Sequence, residues 1–282
     1  MEAINNVVLA VSNFLYQPFI LPLILLVGGL YFTIRTGGVQ IRMFKECLRV
    51  VTEKPKTENG ISSFGALMVS TASRVGTGNI IGVATAVICG GSGAIFWMWL
   101  SAFLGGASAF IESTLAQIYK KKNADGSSYG GPAFYMRDAL NARWLGVIFS
   151  VLIIFTYAIG YNMLAAFNLQ STFQVFSFYG DRTPAIIGVI LAALFGAVVI
   201  GGAHRLVKVT GVLVPVMGII YVAISLIVLV LNIGNVPAMF AGIFKNAFDF
   251  QAIFGGFAGS CIMFGIKRGL YSNEAGMGSA PN

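Results

Sequence analysis

The chain has 282 residues, of which 57% are hydrophobic and only 10% are charged; its mean hydropathy is +0.82 and its net charge is +8. Because soluble domains carry about 25% charged residues, this composition excludes a soluble globular protein. The charges leave four gaps, each longer than the roughly 20 apolar residues that cross a bilayer as a helix. The gaps run from Glu2 to Arg35, Arg74 to Glu112, Arg143 to Asp181 and Lys208 to Lys245. The sequence therefore predicts an all-α polytopic membrane protein with a single membrane domain.

Seven transmembrane spans are predicted along the chain. They lie at 14–34, 64–89, 94–119, 145–170, 184–203, 209–232 and 251–266. The loops on one side of these spans hold fifteen of the 18 basic residues, the other side holds two, and Arg74 lies within a span. By the positive-inside rule the fifteen face the cytoplasm and the N-terminus lies outside. The basic surplus therefore indicates orientation in the plasma membrane, with the lipid bilayer as partner and no nucleic acid.

The N-terminal segment does not have the pattern of a cleaved signal peptide. Residues 1–18 lack a basic segment, and the first apolar stretch is long enough to span the bilayer. The three cysteines, Cys47, Cys89 and Cys261, are odd in number and widely scattered. They predict neither a disulfide framework nor a metal cluster.

Glycine clusters interrupt the second and seventh spans. The second carries "RVGTGNIIG" (74–82) and the seventh carries "FGGFAGS" (254–260). Glycine permits non-helical torsions and lowers helix stability relative to alanine, although a single cluster also serves helix packing. An offset of five spans reverses direction, so span 2 runs outward and span 7 runs inward. This layout predicts an inverted repeat whose first helices are both discontinuous, which is typical of a transporter's binding site.

A broken helix would expose peptide groups within the membrane, where each costs several kcal/mol if it stays unpaired. The half-helix that begins near Asn79 offers N–H groups and the positive end of its dipole, which suit a carboxylate. The half-helix that ends near Gly76 offers carbonyls, which suit Na⁺ or an ammonium group. Thr77 and Asn79 add short polar side chains. These groups together predict a zwitterion and a small cation as the cargo.

Three stretches, "ASRVGTGNIIGVATAV", "GSGAIFWMWLSAFLGGASAFIESTLAQIY" and "KRGLYSNEAGMGSAPN", resemble the alanine or glycine:cation symporter family, the sodium–alanine symporters. The resemblance implies a fold like that of the bacterial leucine transporter, with five-plus-five inverted repeats after one extra helix. The extra helix would be 14–34, the first repeat 64–232 and the start of the second repeat 251–282. The resemblance also implies Na⁺- or H⁺-coupled symport of alanine or glycine by alternating access, with no cofactor besides the coupling ion.

Carried over to this chain, the resemblance places the binding site between the two broken spans. The residues expected to line it are Gly76, Thr77, Gly78 and Asn79, facing Gly256, Phe257, Ala258, Gly259 and Ser260, with Asn162 and Gln170 of span 4. Gly76 and Thr77 are also the expected ligands of Na⁺. The family commonly has a glutamine shortly after its asparagine in span 4. Gln170 stands further along here, so selectivity in that region is expected to differ.

The resemblance also implies a longer protein than this chain. Four core helices of the fold would be missing, including the eighth, which normally helps to hold a sodium ion. We expect a fragment of a longer reading frame or a truncated relic.

Three acidic and basic residues are candidates for a gate or a scaffold. Arg74 and Glu112 lie at roughly 15 and 11 Å from the cytoplasmic ends of their spans, at 1.5 Å per residue. They are therefore expected to form an ion pair, as a fixed scaffold, a moving inner gate or a contact to cargo. Glu274 is expected either to cap a half-helix or join an inner gate, or to be a solvated loop charge.

Other classes of function fit the sequence less well. It contains no HExxH motif and no paired intramembrane aspartates, so an enzyme is not expected. A channel remains an alternative because broken helices also line pores, although no ring of like charges is present. The other alternative is a membrane fragment that does not transport.

Overall fold

The structure is a computed structural model that describes residues 2–16, 20–53, 61–124, 128–249 and 261–281. Most of these residues are helical. The α-helices are α1 (Glu2–Tyr16), α2 (Ile20–Arg35), α3 (Val39–Arg42), α4 (Phe44–Val51), α5 (Ser63–Arg74), α6 (Thr77–Gly90), α7 (Gly93–Ile118), α8 (Pro132–Leu140), α9 (Arg143–Ile154), α10 (Asn162–Ser171), α11 (Thr183–Val199), α12 (Gly202–Leu231), α13 (Val236–Ala247) and α14 (Cys261–Asn273). A π-helix (Phe155–Tyr161) joins α9 to α10, and 3₁₀ turns occupy Thr172–Val175 and Ile233–Asn235.

Three predicted spans coincide with single long apolar helices. These are α7, the continuous helix Arg143–Val175, and α12. Helix α11 is also apolar but has only 17 residues, and it covers most of the predicted fifth span. By length and composition, the described residues hold three helices that can cross a membrane, or up to five if each bent pair is one span. The chain is therefore an all-α membrane protein, and the count of seven spans stays a prediction.

Two pairs of helices are bent at a short break. Ser63–Arg74 meets Gly78–Gly90 at 47°, at the glycine cluster that the sequence analysis singled out. Asn5–Leu15 meets Ile20–Arg35 at 41°, a bend that was not predicted. In the sequence Pro18 lies between these two helices, and proline removes a helical hydrogen bond and favours a kink or a break. The second predicted break, 254–260, falls within 250–260 and lies outside the described residues.

Contacts divide the chain into two compact units. The first unit comprises Met1–Arg42, Ile81–Ser150 and Pro237–Asn282. The second unit comprises Met43–Ile80 and Val151–Val236.

The first unit is organised around the pair formed by α7 and α14. A Cβ atom at Gly265 would overlap the carbonyl oxygen of Ala94, and one at Gly269 would overlap the hydroxyl of Ser101. Further along, a Cβ at Gly105 would lie 2.8 Å from the amide nitrogen of Asn273. The contacts advance in the same direction along both helices, so α7 and α14 pack in parallel. This is the direction that the predicted alternation of spans requires for the third and seventh.

Helix α13, which the sequence analysis did not predict, rests on the N-terminal end of α7. The indole Nε1 of Trp97 donates to the carbonyl of Ala247 at 3.1 Å, and the Nδ2 atom of Asn246 donates to the hydroxyl of Ser92 at 2.8 Å. A Cβ at Gly93 would lie 2.6 Å from the backbone of α13. The small residue therefore permits a close contact between the two helices.

A short hairpin and α8 occupy the region between α7 and α9. Lys121–Lys122 pairs antiparallel with Ser128–Tyr129. Asp138 of α8 accepts a hydrogen bond from Arg137 at 2.6 Å and lies 3.4 Å from the ammonium group of Lys121. These neighbouring cations hold the pKa of the Asp138 carboxyl below its usual value. The carboxylate therefore connects α8 to the hairpin.

The second unit contains α5 packed against α12. A Cβ atom at Gly65 would lie 3.0 Å from a methyl group of Val207, so the absence of a side chain permits the close approach. The hydroxyl of Ser62 caps α5 by accepting from the N–H of Gly65 at 3.0 Å. The start of α5 is thus fixed by a local cap and by contact with α12.

The parallel contact between α7 and α14 can be tested with a single methyl group. Gly265→Ala places a Cβ against the backbone carbonyl of Ala94, which cannot move as a flexible side chain could. We expect it to destabilise the fold by about 1–3 kcal/mol. Gly188→Ala on α11 is the matched control, because a Cβ there meets nothing within 4 Å. Thermal unfolding in detergent measures both, and equal midpoints for the two variants would contradict the close packing.

Candidate substrate and cation site

The predicted break in the second span is a real interruption of the helix. Helix α5 ends at Arg74, where the N–H of Val75 donates to Thr71 at 2.8 Å. Val75 is extended, with φ −93° and ψ 97°, and α6 begins at Thr77. The N–H of Asn79 donates to the carbonyl of Gly76 at 3.0 Å in the first turn of α6. Val75 and Gly76 are therefore outside both helices.

The side chain of Asn79 forms a hydrogen bond across this break. Its Nδ2 atom donates to the carbonyl of Arg74 at 2.7 Å, a group that the end of α5 leaves without its helical partner. One end of the amide is thus used within the protein. The Oδ1 atom of Asn79 has no hydrogen-bond partner among the residues described, and it is the end that remains for a ligand.

Open space lies beside Gly76. A Cβ atom at this position would meet nothing within 4 Å, and Gly76 is exposed with a φ that other residues can adopt. Glycine is therefore not required here for the backbone conformation. Its small size instead keeps space next to the freed peptide groups of the break.

The other half of the predicted site falls in the seventh predicted span. Gly256, Phe257, Ala258, Gly259 and Ser260 lie outside the described residues, as does the side chain of Thr77. The roles predicted for these residues stay predictions. The described residues include only the part of the predicted site on α5 and α6.

In the fourth span, Asn162 and Gln170 have separate surroundings. Asn162 follows the π-helix, and its Nδ2 atom donates to the carbonyls of Tyr157 and Ala158, each at 3.1 Å. The Oε1 atom of Gln170 accepts from the phenol of Tyr179 at 2.5 Å. The two residues are eight positions apart, which corresponds to about 12 Å along the helix axis. A π-helix is frequent at functional sites, which favours Asn162 over Gln170 as a pocket residue.

Glu112 has backbone partners that the sequence analysis missed. Its Oε2 atom accepts from the N–H of Gly276 at 3.2 Å, and its Oε1 atom accepts from the N–H of Gly278 at 2.9 Å. Both glycines have positive φ, +83° and +76°. Successive N–H groups in such a turn form a concave site for an anion. The glycines of "NEAGMGSAP" were the available signal, although nothing in the sequence says which acid they hold.

Glu274 lies at the start of the same turn and is only 5% exposed. The solvated loop charge considered for it is therefore wrong. Its φ is +51°, and its carbonyl accepts from the hydroxyl of Ser279 at 3.3 Å. We call residues 274–279, which follow α14, the glycine loop.

The expected ion pair between Arg74 and Glu112 stays a prediction. Arg74 belongs to the second unit and Glu112 to the first. The structure instead reveals a different arginine at the glycine cluster: a Cβ at Gly82 would overlap the guanidinium group of Arg268. The Cζ atom of that group also lies 5.2 Å from the centroid of the Tyr271 ring. Position 82 therefore has no room for a side chain, because the guanidinium group of Arg268 on α14 lies against α6 there.

The environment of Glu112 also affects Tyr135 on α8. Burial, together with the negative charge of Glu112, raises the pKa of Tyr135 to about 12. The phenol is therefore neutral throughout the physiological range. It adds a half-buried polar group to the region of α7 that contacts the glycine loop.

Comparison with known proteins gives a consistent result. Residues 1–282 match the model of a family described as the sodium:alanine symporter family. The chain is 43% identical to the probable sodium/glutamine symporter GlnT of Bacillus subtilis, over 100% of this chain and 59% of that protein. It is 44% identical to the amino-acid carrier protein AlsT of Bacillus subtilis, over 99% and 58%. It is 40% identical to the sodium/alanine symporter AgcS of Methanococcus maripaludis, over 98% and 62%. The chain thus spans about three-fifths of the length of these relatives.

The raised pKa of Tyr135 predicts a late component in an alkaline titration. The folded phenol ionises at about pH 12 rather than at the ordinary 10.0, so the folded state loses stability as the pH rises through this window. Tyrosinate absorbance should contain a component near pH 12 that Tyr135→Phe removes. Glu112→Gln should shift that component to lower pH, because it removes the carboxylate charge. A Tyr135→Phe protein that retains the component would contradict the assignment.

Proposed function

This chain belongs to the sodium:alanine symporter family, and from this premise we propose that the protein takes up alanine or glycine together with Na⁺ or H⁺. The three relatives are named a probable sodium/glutamine symporter, an amino-acid carrier protein and a sodium/alanine symporter. Transport of neutral amino acids is common to the two that specify a substrate. The family is one of transporters and not of enzymes.

The observation that carries the proposal is the break between α5 and α6. It leaves the first N–H groups of α6 at the positive end of the helix dipole, which suits the carboxylate of an amino acid. The open space at Gly76 gives the cargo room beside these groups. The Oδ1 atom of Asn79 would accept from the ammonium group, while Nδ2 keeps the break in shape.

The coupling ion is proposed to bind at the other side of the same break. The backbone carbonyls at Gly76 and Thr77 are oxygen ligands of the kind that a hard cation prefers. Residues 256–260 would face them and supply further peptide groups. Asn162, beside the π-helix, would line the pocket near the side chain of the cargo.

We further propose the architecture that this mechanism requires. Seven spans, with the second and seventh broken, would form the first part of a leucine-transporter-like bundle of five-plus-five inverted repeats. The N-terminus would lie outside the plasma membrane, as the basic loops indicate. Alternating access would then expose the site to each side in turn. Arg74 would steady the cytoplasmic half of the broken helix, either with Glu112 or with another acid.

Coupled uptake can be measured in proteoliposomes that contain the full-length protein encoded by the gene. Labelled alanine or glycine should accumulate only with an inward gradient of Na⁺ or H⁺, because the ion supplies the driving force. Collapse of both gradients should abolish accumulation. Equal uptake with and without either gradient would contradict symport and would favour a channel.

Gly76→Leu is a specific test of the site. The leucine side chain would enter the open space, and the backbone at Gly76 tolerates it, so the protein should fold normally. We expect uptake to fall at least about tenfold, a loss of at least about 1.4 kcal/mol in transition-state stabilisation. Gly188→Leu is the matched control, since Gly188 also meets nothing within 4 Å but lies on α11.

Two further comparisons accompany this test. Bulky replacements of Thr77 or Asn79 should also abolish uptake, whereas His204→Ala at an exposed position should leave it unchanged. Normal uptake by Gly76→Leu, with an unchanged thermal midpoint, would exclude the break as the binding site.

A further inference from the structure

We propose that Glu112 is a positioning residue for transport: its carboxylate fixes the glycine loop on α7, and through this loop it sets where α14 lies along α7. The proposal rests on the function proposed above. It assigns to Glu112 a role that does not require contact with the cargo or with Arg74.

The two carboxylate oxygens of Glu112 bind two different residues of the glycine loop. Oε1 accepts from Gly278 at 2.9 Å and Oε2 accepts from Gly276 at 3.2 Å. Hydrogen bonds to an ionised acceptor are stronger than those between neutral groups. An amide of the same length would offer one acceptor oxygen and place an N–H₂ group against the other donor. Glu112→Gln therefore removes one of the two hydrogen bonds with little change in the shape of the side chain.

Two hydrogen bonds within the glycine loop can be compared with its bonds to Glu112. The N–H of Met277 reaches the carbonyl of Glu274 at 3.4 Å, and the hydroxyl of Ser279 reaches the same carbonyl at 3.3 Å. Both are longer than the bonds to Glu112. The carboxylate is therefore a direct polar restraint on both Gly276 and Gly278.

The glycine loop is also packed too closely to accept side chains at its two glycines. A Cβ at Gly276 would lie 2.8 Å from Leu25 of α2, and one at Gly278 would lie 2.8 Å from Phe149 of α9. Their positive φ values already disfavour other residues. The backbone of Gly276 and Gly278 is thus closely packed against α2 and α9, and Glu112 binds it in this position.

A second connection transmits this restraint to α14. The Oδ1 atom of Asn273 accepts from the N–H of Ala275 at 2.9 Å, and its Nδ2 atom donates to the carbonyl of Ser101 on α7 at 3.3 Å. The end of α14 is therefore tied to the glycine loop and to α7 by one side chain. Gly269 lies against the hydroxyl of Ser101 one helical turn earlier. A shift of the loop along α7 would strain all of these contacts.

The position of α14 matters for transport because of what precedes it in the chain. Helix α14 begins at Cys261, directly after the residues 256–260 that are proposed to form half of the site. Displacement of α14 along α7 would displace the start of that segment by a similar distance. Loss of the Glu112 restraint should therefore weaken binding of the cargo.

The test combines amide hydrogen exchange with transport kinetics on the full-length protein in lipid nanodiscs and proteoliposomes. Glu112→Gln should raise exchange of the amides in 274–279 about tenfold or more and raise the KM for alanine by a similar factor. The maximal rate per folded molecule should change little. Glu112→Asp, which keeps the charge on a shorter side chain, should restore part of both effects.

Glu46→Gln is the matched control, because Glu46 is a partly exposed glutamate on α4 whose partner is Arg49 on the same helix. It should alter neither exchange of the glycine loop nor the KM. If Glu112→Gln fails to reach the membrane, Glu112→Asp alone supplies the comparison with the wild-type protein.

Three results would overturn the proposal. Unchanged exchange in 274–279 would show that Glu112 does not fix the glycine loop. Faster exchange with an unchanged KM and a lower maximal rate would show a purely structural role, since fewer folded molecules lower the rate and leave the KM unaffected. If the wild-type protein takes up neither alanine nor glycine, the proposed function is wrong and the transport role of Glu112 falls with it. Amide exchange would then still report whether Glu112 anchors the loop.

Discussion

A peptide group that leaves a regular helix inside a bilayer must find a partner within the protein, because lipid offers none. At four places where the described chain leaves a regular α-helix, a polar side chain binds backbone groups. The side chains and the backbone residues that they bind are Asn79 with Arg74, Asn162 with Tyr157 and Ala158, Asn273 with Ala275, and Glu112 with Gly276 and Gly278. A short amide suits this purpose, since it can donate and accept at close range. A small number of polar side chains thus stabilises the places where this apolar chain leaves a regular helix.

The parts of the fold that the sequence predicted well are those that depend on long-range hydropathy. The third, fourth and sixth spans were located because apolar runs end at charged residues. The break at Val75 and Gly76 was predicted because glycine and a charge interrupt such a run. Helix α13 was missed because its 12 residues are too short to span a bilayer. The bend near Pro18 was missed because the hydropathy of the first span continues through it.

The site was harder to predict than the spans, for a physical reason. Asn79 was identified as a site residue, yet its bond to Arg74 depends on the torsions of Val75, which composition does not specify. For Glu112 the prediction looked for a cation, since an isolated charge in a span suggests an opposite charge. Backbone N–H groups serve as donors equally well, and every residue except proline has one. They therefore leave no distinctive residue type in the sequence.

The bond between Glu112 and the glycine loop joins residues that are 164 and 166 positions apart. Ribosomes add about 5–20 residues per second, so α7 is complete about 10–30 s before its two donors are synthesised. During biogenesis the carboxylate must therefore be accommodated without them. Glu112 lies six residues before the end of α7, about 9 Å along the helix, where a long side chain can extend to the water interface. The contact between Glu112 and the glycine loop therefore forms late in assembly. A chain whose synthesis stops before the loop cannot form this contact.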